Sequence, residues 1–387
     1  MWFDMKTVYF DHAATTHLYQ EVASRLVSTH SECFGNPSSS HSGGRKAKAL
    51  IENARRTIAK ELSVKAKEIV FTASGTEANN WVIKHAVAHL GIRHIITTTI
   101  EHKCVARAIE CVQSEGAEVT YLENDEHGVI SCAALEEALT RSNRPTLVAI
   151  MHANNELGTL QPVKQIGDLC QKHNALFFSD TVQTIGHYAF CPRDYHMDFC
   201  SASAHKFHGP KGVGFVYINE KHRLQPWILG GGQEYDYRSG TENVHGIDAM
   251  ALALQLSNAK EDEHREHALR LKEALLTGIK EVFPGSYQNG HSTSCLYSVI
   301  NISFPAHVPK EQFLFELDMA GIHVSGGSAC SSGAAKDSHV LQAIGHDNAR
   351  KAIRFSIAYS NTLEDVHYLL DALRSLKARY QNRSVSA

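Results

Sequence analysis

The chain has 387 residues, 43% of them hydrophobic and 20% charged, with a formal net charge of -3. That length can bury a large core and suggests two domains, and the near-balanced charge gives no reason to expect nucleic acid. No apolar run is long enough to cross a bilayer, and the opening M-W-F-D-M-K-T-V-Y-F-D lacks the pattern of a signal peptide, so a cytoplasmic protein with no membrane partner is expected.

In chain order, D-H-A-A-T-T at 11–16 reads as a polar turn and helix cap, and F-G-N-P-S-S-S-H at 34–41 as a loop of turn formers. The first two-thirds then alternates two kinds of segment. β-rich runs fall at 69–72, 94–99, 117–122, 146–152, 175–180, 197–203 and 213–218, and helical patterns near 43–62, 76–90, 103–115, 133–141 and 162–174. This alternation predicts an α/β domain with a mostly parallel sheet flanked by helices. A long helical pattern over about 244–282 leaves that domain. Beyond it, 298–304, 309–320, 336–344, 350–357 and 363–380 alternate on a smaller scale. The expected division is a large domain over 15–258 and a smaller α/β domain built from 1–14 and 259–387.

Several strand ends carry chemistry. F-T-A-S-G-T-E-A-N-N at 71–80 turns from strand into helix, where backbone N–H groups near Gly75 and the Thr76 hydroxyl can hold a phosphate. An ordinary cap with Glu77 in the first turn reads equally well. His102, in T-I-E-H-K-C, and Asn155, in H-A-N-N-E-L-G, fall at the carboxyl edge where open α/β sheets bind ligands. An imidazole there can stack on a flat cofactor or move protons. Asp180 ends the apolar strand A-L-F-F-S-D and needs a cationic partner, either a protonated pyridine nitrogen or an arginine. Gln183, one turn further, could bond a ring hydroxyl. Lys206, in S-A-S-A-H-K-F-H-G-P-K-G-V-G at 201–214, passes from a strand end into a glycine-lined loop. There it suits a carbonyl-trapping amine, a solvated loop lysine being the plain alternative. A lysine amine, an acid on an earlier strand and a phosphate turn are together what pyridoxal phosphate requires.

Of nine cysteines none forms a C-x-x-C pair, and the 25 histidines show no H-E-x-x-H, so no metal site is expected. Cys330 stands apart, in V-S-G-G-S-A-C-S-S-G at 324–333, a run with nothing to bury. An exposed, mobile thiol is expected there, a poor structural choice and a good reactive one.

These motifs, with G-G-G-Q-E-Y-D-Y-R-S-G-T-E-N and I-R-F-S, resemble those of the NifS/IscS-type cysteine desulfurases of the class V aminotransferase group, nearly end to end. The resemblance implies a fold-type I pyridoxal-phosphate transferase in which Lys206 forms the Schiff base and Asp180 pairs with the ring nitrogen. It implies that Gln183 bonds the ring oxygen, that His102 stacks on the ring and serves catalysis, and that Gly75, Thr76, Ser203 and His205 hold the phosphate. Thr241 would reach the phosphate of a neighbouring subunit in a homodimer, and Asn155 and Arg354 would bind substrate. Cys330, on a loop spanning about 324–335, would take sulfur from L-cysteine as a persulfide, releasing alanine. The sulfur would pass to an acceptor protein for iron–sulfur cluster assembly or tRNA thiolation, with Cys330 a candidate transient cluster ligand. Selenocysteine lyase or another β-lyase of the fold is the alternative, and a non-catalytic scaffold a more distant one. The chain departs from the family pattern at Ala204, where glycine is usual, at Thr181, where alanine is common, and at I-A-Y-S, 357–360, where glycine and arginine typically follow the I-R-F-S motif.

Overall fold

The computed structural model describes residues 6–309, 312–326 and 338–385, with side chains to Gln381. The chain starts with β1 (Val8–Tyr9), then α1 (Gln20–Glu32) and α2 (Ser42–Glu61). Strand and helix alternate from there: β2 (Ile69–Thr72), α3 (Gly75–His89), β3 (His94–Thr98), α4 (Lys103–Ser114), β4 (Glu118–Leu122), α5 (Cys132–Arg141), β5 (Thr146–Ala149), α6 (Val163–Lys172) and β6 (Leu176–Asp180). β7 (Phe199–Ser203) and β8 (Gly214–Ile218) complete one seven-stranded sheet in the order β2-β8-β7-β6-β5-β3-β4.

The sheet is parallel except for β8, which runs antiparallel to both β2 and β7. The cause is local. Too few residues separate β7 from β8 for a helical crossover, so the chain doubles back. That short connection carries Lys206.

Most strands of this sheet are buried on both faces and alternate with period two. Phe71, Ile96, Val148, Phe177, Cys200 and Phe215 face a core with Ile51 and Ile58 of α2, Ile166 of α6 and residues 244–259. Val70, Ile95, Leu147, Phe178, Phe199 and Val216 face the opposite core, with Trp81 of α3 and Ile109 of α4.

The helical pattern over 244–282 is two helices, α7 (Val244–Ala259) and α8 (Glu261–Val282), separated at Lys260. Glu261, Asp262 and Glu263 favour a new helix start there, through the positive end of the helix dipole. The break is also a change of core. The chain continues with β9 (Tyr287–Asn289), β10 (Val299–Phe304), α9 (Phe313–Met319), β11 (Ile322–His323), α10 (His339–Ala343), β12 (Lys351–Ser356) and α11 (Leu363–Val385), and α8 shares a core with β10, α9, β11, β12 and α11. β12, β10 and β9 form an antiparallel sheet backed by Leu271, Leu275 and Ile279 of α8 and Leu369, Leu373 and Leu376 of α11. β1 joins this unit by pairing in parallel with β11.

The helix α1 has no counterpart among the predicted elements. It buries only Val22 and Thr29, too few positions to write a helical period. Val22 joins the large core and Leu26 packs beside it, and polar contacts to α7 add to this, with Thr29 Oγ1 donating to Asp248 at 2.7 Å and Arg25 paired with the same carboxylate at 3.3 Å.

One buried ion pair fixes the loop after β8. Arg55, 1% exposed, donates to both carboxylate oxygens of Glu234 at 2.7 and 2.8 Å, and its guanidinium lies 4.6 Å from the Phe71 ring centre. Glu234 also accepts the Phe71 N–H at 2.7 Å. The pair anchors three successive left-handed residues, Glu234, Tyr235 and Asp236, with φ of 50°, 57° and 68°. Arg55→Met would leave the Glu234 carboxylate buried alone, a change expected to cost about 3–5 kcal/mol. A urea unfolding midpoint unchanged from the parent protein would contradict this.

Candidate active site

The loops at the carboxyl ends of the parallel strands converge on one cleft of about 330 Å³. Gly75, Thr76, His102, Asn155, Asp180, Gln183, Ser203, His205, Lys206 and Arg354 all line it. Volume and lining are those of a small-molecule site.

At the start of α3 the Ser74 hydroxyl caps the helix by accepting from Glu77 N–H at 3.2 Å. A Cβ on Gly75 would come within 2.5 Å of Val182 Cγ2, so only glycine lets this helix end approach the β6 loop. His102 caps α4, its Nδ1 accepting the Cys104 N–H at 3.2 Å and lying 2.9 Å from Cys104 Sγ. Burial lowers the His102 pKa against the opposing pull of the Asp180 charge, and Lys206 adds to the lowering.

Asp180 is 7% exposed; its Oδ2 accepts from Asn79 Nδ2 at 2.7 Å and its Oδ1 from Val182 N–H at 3.0 Å. Both donors are neutral. Among the described residues no lysine, arginine or histidine forms an ion pair with it. The arginine that could have explained this carboxylate is absent from its surroundings, so the site presents a buried negative charge to whatever enters the cleft. A protonated pyridine nitrogen fits that position.

Lys206 Nζ donates to the carbonyl oxygens of Ala13 and Ala14 at 2.6 and 2.9 Å, and Gln183 Nε2 donates to the Ala13 carbonyl at 3.1 Å. Thus the D-H-A-A-T-T segment is more than the plain turn its sequence suggests. His205 Nδ1 lies 3.3 Å from Thr15 Oγ1. Arg354, 1% exposed on β12, donates to the Asn155 carbonyl at 2.8 Å and to Asp11 Oδ1 at 2.7 Å, and its buried Nε has no partner among the described residues.

Thr241 lies apart, exposed in a depression shared with Ala73, Arg238 and Gly240, and does not enter this chain's cleft. Cys330 lies outside the described residues. The cleft also contains Asn79, Cys104, Glu156 and His339, which sequence reasoning left without roles. Asn79 and Cys104 sit inside quoted motifs, but nothing in their spacing announces contact with Asp180 or His102.

The three departures have local explanations. The Ala204 side chain is fully buried against Gly209, whose lack of a Cβ makes room for it. Thr181 Oγ1 donates to the Ser201 carbonyl at 2.7 Å. Tyr359 stacks on His264, with ring centres 5.4 Å apart, in a buried cluster with Tyr19 and His208.

Fold and cleft together define a pyridoxal-phosphate enzyme of the α/β type. The family profile described as Aminotransferase class-V matches residues 8–369, and the chain belongs to that family. It is 40% identical over 375 residues to the cysteine desulfurase IscS of Dictyoglomus turgidum, covering 96% of this chain and 94% of that protein. A solved NifS-like protein superposes with a TM-score of 0.90 at 36% identity, over 97% of this chain and all (100%) of that one. A structure of SspA in complex with cysteine superposes at 0.80 with 33% identity, over 92% of this chain and 100% of that one.

Two predictions arise from the cleft. Lys206→Ala should lose covalent attachment of pyridoxal phosphate, so that borohydride treatment followed by denaturation leaves no pyridoxyl group on the protein; a retained label would place the attachment elsewhere. The second concerns acid. Burial lowers the pKa of His152, His187 and His205 to about 4 and of His12 and His208 to about 3, from 6.5. Below about pH 6.5 the unfolded chain binds protons that the folded chain refuses. This stability is therefore complete above that pH and is lost as pH falls toward 4. The melting temperature should drop between pH 7.5 and pH 5, and a midpoint as high at the lower pH would refute the assignment.

Proposed function

We propose that the chain is a cysteine desulfurase that transfers sulfur from L-cysteine to Cys330 and releases alanine. The observation that carries this reading is the buried Asp180 carboxylate, which among the described residues forms no ion pair, in one cleft with Lys206 and Arg354.

Asp180 would hold the cofactor's ring nitrogen, Gln183 its ring oxygen, and His102 its face. Gly75, Thr76, Ser203 and His205 would hold its phosphate. Bound there, pyridoxal phosphate supplies a sink for electrons from the substrate's α-carbon. The remaining chemistry belongs to the chain. Arg354 grips the substrate carboxylate through the guanidinium fork, with Asn155 beside it. The Lys206 amine moves a proton at the α-carbon. The Cys330 thiolate attacks the substrate sulfur; an S–S bond forms as the C–S bond breaks, the bond's electron pair stays with the carbon skeleton, and the β-carbon takes a proton so that the skeleton leaves as alanine.

Chain geometry supports the role of Cys330. Ser325 exchanges backbone hydrogen bonds with Arg354, and Ser338 Oγ donates to the cleft residue Glu156.

The enzyme works as a homodimer in which Thr241 reaches the partner's phosphate. In support, Leu229, on the same loop, is 84% exposed and Phe34 is 90% exposed, large apolar side chains that a second subunit would cover. Among the described residues no helix is long and apolar enough to cross a membrane. We place the enzyme in the cytoplasm, passing sulfur to an acceptor for iron–sulfur cluster assembly or tRNA thiolation.

Cys330→Ala should keep the visible absorbance of the bound cofactor and lose sulfide release from L-cysteine. Normal turnover would reject the persulfide step and favour a lyase that needs no acceptor thiol.

A further inference from the structure

The segment 11–14 touches the cleft at more points than any role assigned above requires. Besides receiving Lys206 and Gln183 on its carbonyls, it brings Asp11 to Arg354. It is itself fastened to the small sheet, with Ser356 N–H donating to the Phe10 carbonyl at 2.7 Å and Ala13 N–H to Ser356 Oγ at 2.8 Å. The Tyr9 hydroxyl donates to the Asp11 carbonyl at 3.1 Å.

Arg354 is an expensive residue to bury. A guanidinium out of water needs a carboxylate, and among the described residues its ion-pair partner is Asp11, at 2.7 Å. The Asn155 carbonyl takes Nη1 and Asp11 takes Nη2, which fixes the plane of the fork. Nε is buried and has no partner among the described residues. A donor so placed costs free energy until something accepts from it, and a substrate carboxylate is such an acceptor.

We propose that Asp11 is a positioning residue for the substrate carboxylate, acting through Arg354. It balances the guanidinium charge while the cleft is empty and holds the fork in the orientation that receives the carboxylate. This rests on the assignment of Arg354 to the substrate carboxylate. Asp11 touches neither cofactor nor reacting atoms, so its loss should weaken binding rather than chemistry.

The test compares Asp11→Asn and Asp11→Ser with Arg354→Gln in the full-length, cofactor-loaded protein. Two quantities are read: steady-state constants for L-cysteine, and the dissociation constant of the product L-alanine from its effect on the cofactor's absorbance. Both Asp11 variants should raise KM and the L-alanine constant about tenfold, the effect of one charge-assisted hydrogen bond. Their kcat should stay within about twofold of the parent's, as for loss of uniform binding. Unchanged or tighter binding in the Asp11 variants, with weakened binding in Arg354→Gln, would overturn the role of Asp11 alone. Unchanged binding in Arg354→Gln would overturn the assignment of Arg354 and this inference with it. A joint fall in kcat and melting temperature without a rise in KM would make Asp11 a structural residue and also overturn the proposal.

Discussion

A buried carboxylate whose protein partners are all neutral is the constraint on which the rest of this structure depends. Asp180 receives hydrogen bonds from Asn79 and from a backbone N–H, and neither neutralises its charge. Moving a carboxylate out of water is costly unless a cation meets it. An enzyme that keeps such a group at the floor of a cleft gains from it only when a cationic ligand arrives, and a pyridinium nitrogen is that ligand. Burial pushes the nearby His102 toward its uncharged form, which suits it to lie against an aromatic ring.

The fold provides the rest by geometry. In a mostly parallel sheet every strand delivers its carboxyl end to the same edge, so residues far apart in sequence meet there. β3, β5, β6 and β7 bring His102, Asn155, Asp180 and Lys206 to one cleft without any special local structure. The antiparallel β8 adds a tight return immediately after Lys206, which keeps the lysine loop short. The small sheet contributes the other wall, with Arg354 on β12 and the segment 11–14 between the two sheets.

Much of this was legible in the sequence because both signals are local. Strands buried on two faces read as apolar runs, and residues at their ends read as candidates for an edge site. The choice between a pyridine nitrogen and an arginine for Asp180 was not legible, since it depends on which side chains are missing from a three-dimensional neighbourhood. Asn79, Cys104 and His339 escaped for the converse reason: helix and turn positions acquire roles only when other elements are brought against them. Helix α1 was missed because its apolar stripe is only Val22 and Leu26, with polar contacts to Asp248 completing its attachment. The break at Lys260 was hidden because α7 and α8 are continuous in helical propensity and differ in the core each one faces.

The most direct measurement of the central claim is the 15N chemical shift of ring-labelled pyridoxal phosphate bound to the protein. A cofactor facing an unpaired Asp180 carboxylate should show a protonated ring nitrogen throughout the neutral range, and Asp180→Asn should move the signal to the unprotonated position. An unprotonated nitrogen in the parent protein, or a shift indifferent to Asp180→Asn, would contradict the account.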